Sequence, residues 1–80
     1  MKAGIHIMLK SGVLDPQGKA IENALKSLGF NGINGVRQGK YIEIELAETD
    51  PARAKEVLKA MCTKLLANLV IENYEIELLD

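Results

Sequence analysis

Apolar and polar residues alternate from Gly4 to Lys10: Ile5, Ile7 and Leu9 fall on one side, and Gly4, His6, Met8 and Lys10 on the other. A period of two predicts a strand. The same alternation returns where Ile42, Ile44 and Leu46 stand against Tyr41, Glu43 and Glu45, and again where Tyr74, Ile76 and Leu78 stand against Asn73, Glu75 and Glu77. Between these runs the spacing lengthens. Ile21, Ala24, Leu25 and Leu28 recur every three or four residues, as do Ala54, Val57, Leu58, Met61 and Leu65, which predicts two amphipathic helices. Each stripe follows an aspartate-proline pair, Asp15-Pro16 and Asp50-Pro51, that is, a capping carboxylate followed by the residue best tolerated at the first helical position. Gly29 and Asn68 are placed to end the helices.

The stretch Gly32 to Gly39 is weaker. Three glycines and Asn34 interrupt it, so it reads as a short edge strand or bulged hairpin arm that turns through Gln38-Gly39-Lys40. In chain order the elements run β-α-β-β-α-β. The expected fold is therefore α+β and ferredoxin-like: one domain over 1–80, with a four-stranded antiparallel sheet, two helices on one face and the other face open. The usual strand order makes the first and third strands central, which sets His6 and Met8 among Glu43 and Glu45, with Glu75 and Glu77 on the other flank.

Eighty residues bury a smaller share of their surface than a larger domain does. Cys62 is the only cysteine, so no disulfide stabilises the fold, and no Cys/His group has zinc-site spacing. Oligomerisation is the remaining aid, giving a dimer or tetramer of the chain with itself. Formal charges nearly cancel at −1, which supplies no long-range attraction for nucleic acid or anionic membrane. No run approaches the roughly twenty apolar residues of a membrane span, and the N-terminal alternation lacks a signal-peptide core. A cytoplasmic location with a reduced thiol is expected.

The open face carries the residues that chemistry would use, and each has a plainer explanation. Glu43, Glu45, Glu75 and Glu77 would repel RNA phosphate, and only Tyr41 supplies a stacking ring. His6 beside glutamates is the basis for a stand-alone enzyme, yet no serine, cysteine or second histidine completes a triad. Gly12 and Gly18 flank a helix start, but their spacing matches no phosphate loop and Asp15 would oppose an anion there. Cys62 lies on the apolar stripe, where a small buried hydrophobe is the ordinary role. What the residues alone support is a small oligomeric interaction domain, with His6, Met8, Glu43 and Glu45 as the expected oligomer surface. The runner-up is a ligand-sensing domain of the amino-acid-binding ACT type, for which Gly12 in the first loop is the one indication.

Several longer matches go further. Leu14-Asp15-Pro16-Gln17-Gly18-Lys19-Ala20, Leu25-Lys26-Ser27-Leu28-Gly29-Phe30 and Val36-Arg37-Gln38-Gly39-Lys40-Tyr41-Ile42-Glu43 resemble the PurS family, in order. So do Cys62-Thr63-Lys64-Leu65-Leu66-Ala67-Asn68 and Val70-Ile71-Glu72-Asn73-Tyr74, where the one departure is Leu69 in place of the family's proline. This resemblance implies a non-catalytic subunit of phosphoribosylformylglycinamidine (FGAM) synthase, a ligase of de novo purine biosynthesis. A PurS-like dimer bridges a synthetase subunit, PurL, and a glutaminase subunit, PurQ. The complex uses ATP, magnesium and glutamine, and no cofactor is expected on this chain. The resemblance also makes Arg37, Gly39, Lys40 and Tyr41 the expected partner contacts.

Overall fold

Alternation over 2–9 forms the central strand of the sheet, β1 (Lys2–Leu9), because Ala3, Ile5 and Ile7 all bury one face completely. The computed structural model describes residues 1–79. β2 (Gly39–Glu45) and β3 (Glu72–Leu78) pair with β1 on either side, both antiparallel, giving a three-stranded sheet in the order β2-β1-β3. The register sets Ile5 between Ile42 and Ile76, so one face is apolar across all three strands.

The helices start where the aspartate-proline pairs predicted. Helix α1 spans Pro16–Ser27, and Asp15 Oδ1 accepts from the Gly18 N–H at 2.9 Å. Helix α2 spans Pro51–Met61, and Asp50 Oδ1 accepts from the Ala52 N–H at 3.1 Å. Both contacts satisfy backbone donors that a helix start leaves without partners. A π turn, Cys62–Leu66, continues α2, and Gly29 ends α1 with a φ of +94°, a conformation that glycine adopts without strain. Leu69 occupies the second position of the Asn68–Ile71 turn, closed by the Ile71 N–H donating to the Asn68 carbonyl at 3.1 Å. Proline would suit that position of the turn as well.

Two expectations need correction. The strand expected over Gly32–Gly39 does not form: residues 30–38 are irregular among the described residues, and β2 begins at Gly39, opposite Met8. Three glycines and an asparagine provide few side chains to pair across a sheet, so this segment has little to gain from strand pairing. The ferredoxin-like, four-stranded arrangement thus becomes three-stranded, and β2, expected to be central, is an edge. Second, only one helix covers the sheet. Leu58 and Cys62 join Ala3, Ile5 and Ile7 in the core, whereas α1 packs substantially on neither α2 nor the sheet. It projects instead with its return segment as an arm, giving the molecule extents of 48 × 27 × 15 Å.

Candidate functional site

Strand alternation divides the residues expected to act together. On β2, Lys40 lies opposite Ile7 and therefore on the helix side, while Tyr41 lies opposite His6 on the open side. Lys40 Nζ reaches across the end of β1 to Glu72, 3.8 Å away. Tyr41 covers Gly4 and tilts against the His6 ring, with centroids 4.5 Å apart. A Cβ on Gly4 would fall 2.1 Å from the Tyr41 hydroxyl, so glycine is what lets the ring lie down on the sheet. Arg37 precedes the strand, and its Nη2 donates to the Leu9 carbonyl. The stretch from Arg37 to Tyr41 therefore offers two surfaces, not one hairpin patch.

On the open face the register places Tyr41 and Glu75 opposite His6, Glu43 and Glu77 opposite Gly4, and Glu45 opposite Lys2. His6 Nε2 stands 3.9 Å from Glu77, and both side chains are more than half exposed. Met8, Glu43 and Glu45 are exposed as well. An exposed ion pair of this kind is worth little. The face holds an imidazole and carboxylates but no nucleophile beside them, since Cys62 is fully buried and burial pushes its thiol pKa up. Among the described residues, no three His, Cys, Asp or Glu side chains gather as a metal site, and no helix is long and apolar enough to cross a membrane.

The feature that sequence reading missed is the root of the arm. Asp15 caps α1 through Oδ1, and through Oδ2 it accepts from the Gln38 N–H at 2.9 Å. Gly18 allows the close approach there, because a Cβ would fall 2.5 Å from the Val36 carbonyl oxygen. One carboxylate thus ties the start of the arm to its end, beside a depression of about 220 Å³ lined in part by Ile7, Leu9, Gln17 and Lys40. Asp15 and Gln38 are 23 positions apart, and no local pattern links them.

Accepting first from Gln38 and then from Gly18 holds the Asp15 carboxyl below the usual carboxylate range, with the Arg37 charge adding to this. A depressed folded-state value contributes stability above the ordinary aspartate value, near 4, and that stability is lost as pH falls through the folded value. The Gly18 and Gln38 amide resonances should therefore titrate together below pH of about 4, and Asp15→Asn should abolish the shared step. Separate midpoints, or an ordinary aspartate midpoint, would show that the carboxylate does not join the two ends.

The family model for PurS, described as phosphoribosylformylglycinamidine (FGAM) synthase, matches residues 2–80. The chain is 49% identical over 74 residues to the PurS subunit of Synechocystis, covering 92% of this chain and 74% of that one. It is 48% identical over 77 residues to the PurS subunit of Bacillus subtilis, covering 95% and 89%. Among solved structures, PurS of Methanocaldococcus jannaschii, described as one of the subunits of formylglycinamide ribonucleotide amidotransferase, superposes with a TM-score of 0.86 at 47% identity, covering 95% of this chain and 92% of that one. A chain of the PurLQS structure from Thermotoga maritima gives a TM-score of 0.87 at 35% identity, covering 95% and 93%. Matched along nearly its whole length in both sequence and backbone, the chain belongs to the PurS family.

Proposed function

We propose that this chain is a non-catalytic assembly subunit of FGAM synthase. Self-associated, it stands between the synthetase subunit PurL and the glutaminase subunit PurQ and supports transfer of ammonia from glutamine to the ATP-dependent step. The observation that carries this reading is the full-length match to PurS subunits, one of them within a PurLQS structure. Its chemistry is consistent with that role: the one imidazole is exposed on an open sheet, and the one thiol is sealed in the core. ATP, magnesium and glutamine are then handled by PurL and PurQ. The ACT-type sensor has lost its support, because Gly12 sits at φ +87° in a turn, and a turn is sufficient reason for glycine.

Two surfaces meet other chains in this reading. Arg37, Gly39 and Lys40 form the first, beside the root of the arm, and charge-assisted hydrogen bonds are what they offer. His6, Met8, Tyr41, Glu43 and Glu45 form the second, on the open face. The test is gel filtration of the chain with PurL and PurQ of the same pathway. The chain should elute with both, and Arg37→Ala should weaken this co-elution more than it lowers the melting temperature of the isolated chain. Failure to elute with either partner would remove the assembly role, and the reverse ordering for Arg37→Ala would make that residue structural.

A further inference from the structure

Positive charge is not spread evenly over this chain. Of its ten cationic side chains, Arg53, Lys55, Lys59 and Lys64 lie along α2 and the π turn that continues it, and all four are exposed. Glu56 is the one carboxylate between positions 53 and 64. Elsewhere cations have partners within the chain: Lys19 and Lys26 pair with Glu22, Lys40 pairs with Glu72, and Arg37 donates to the Leu9 carbonyl. Among the described residues, none of the four side chains on α2 and its π turn has an ion pair or hydrogen bond.

Two of these placements work against the helix itself. Arg53 stands in the first turn, three residues after the Asp50 cap, where the helix dipole favours a carboxylate and α2 has none. Lys55 and Lys59 are four residues apart, so they share one side of the helix as a like-charged pair. Helix α1 shows the opposite arrangement, with Glu22 held between Lys19 at 3.3 Å and Lys26 at 3.0 Å. Charges set against local stability, with nothing in the chain to offset the cost, mark a surface whose gain comes from outside the chain.

We propose that the outer surface of α2 docks on an acidic surface of a partner protein in the assembly, through Arg53, Lys55, Lys59 and Lys64. This rests on the assembly reading above and adds to it a third contact surface, together with the sign of charge that its partner carries. Docking needs no change in the core, since Ala54, Leu58 and Cys62 on the inner side of the helix are already buried. The near-zero net charge hides this face because the offsetting carboxylates, Glu43, Glu45, Glu75 and Glu77, lie across the core on the open side of the sheet. At least one helix diameter, roughly 10–12 Å, separates the two faces, more than the screening length of about 8 Å at physiological salt. Each face therefore presents its own sign at contact range. An acidic partner is attracted by α2 and repelled by the sheet, which fixes the way round in which the chain is held. Nucleic acid fits less well, because no aromatic or amide side chain lies between positions 53 and 64 to stack on a base or read its edge.

The test titrates the full chain into PurL and into PurQ of the same pathway, at about 50 mM and about 300 mM salt, where screening differs strongly. Affinity for one of the two should fall as salt rises. Arg53→Glu with Lys55→Glu should weaken that affinity by at least about tenfold at the lower salt and flatten its salt dependence. The same pair of substitutions places a carboxylate in the first turn and turns a like-charged pair into an opposite one, so the melting temperature of the isolated chain should stay level or rise. Glu56→Lys should tighten the contact. Unchanged affinity for both partners in the double variant, a loss of affinity matched by a fall in melting temperature, or weaker binding after Glu56→Lys would overturn the inference. So would retention of the chain on short duplex DNA that the double variant loses while PurL and PurQ bind as before. Each of those outcomes leaves the assembly reading intact, whereas a wild-type chain that binds neither PurL nor PurQ removes that reading and this inference with it.

Discussion

Leaving this chain out of a mixture of PurL and PurQ should lower glutamine-dependent formation of FGAM by at least about tenfold, while turnover supported by added ammonia changes little. The contrast follows from the assembly role, which the match to a chain of the PurLQS structure supports. In that role the chain's contribution is to hold two active sites in a fixed relation. Ammonia released between unlinked sites is diluted and protonated before it reaches the second one, whereas ammonia added in bulk does not need the link. Initial rates with glutamine and with ammonium salt, measured with and without the chain, provide the comparison. An equal loss with both nitrogen sources would assign the chain a part in the synthetase chemistry, and no loss with glutamine would leave it without an assembly function.

Leu58→Ala should destabilise the chain by about 2–5 kcal/mol. Leu58 has no exposed surface and lies with Ile5, Ile7 and Cys62 at the point where α2 meets the sheet. A core this small has little room to collapse around the missing methyl groups. With a total stability of roughly 4–12 kcal/mol expected for eighty residues, the variant would lose a large part of its margin, and the melting temperature should fall by roughly 10–30 °C. Leu65→Ala, at a position 83% exposed, should cost no more than about 0.5 kcal/mol. Urea denaturation of both variants checks the pair. Similar losses would mean that the contact between α2 and the sheet is not the centre of the core.

Local features of this fold were legible because their causes are local. An aspartate-proline pair caps a helix through a donor three residues on or fewer, and strand alternation at Ile5 and Ile7 needs only the two-residue repeat. The weak segment before β2 was visible as weak, but its composition permits an edge strand and an irregular return equally well. The division of the Arg37 to Tyr41 stretch between two faces has another cause. Neighbours on a strand point to opposite faces, and β2 begins at Gly39, so Lys40 and Tyr41 part company.

By itself, then, the sequence determined where the helices begin, which side of each strand is apolar, and that α1 carries a stripe in need of cover. Periodicity states that a surface must be buried. It does not state against what, because the burial free energy is non-directional and a stripe is satisfied equally by its own sheet or by another chain's. Tertiary structure decided that α1 does not lie on the chain's own sheet. Hydrogen bonds from residues 23 and 28 positions away, to Asp15 and to the Leu9 carbonyl, hold the arm off its own sheet. They leave the apolar face of β2 half-buried, with Ile42, Ile44 and Leu46 packed at the edge of the core, and the glutamate-bearing face open.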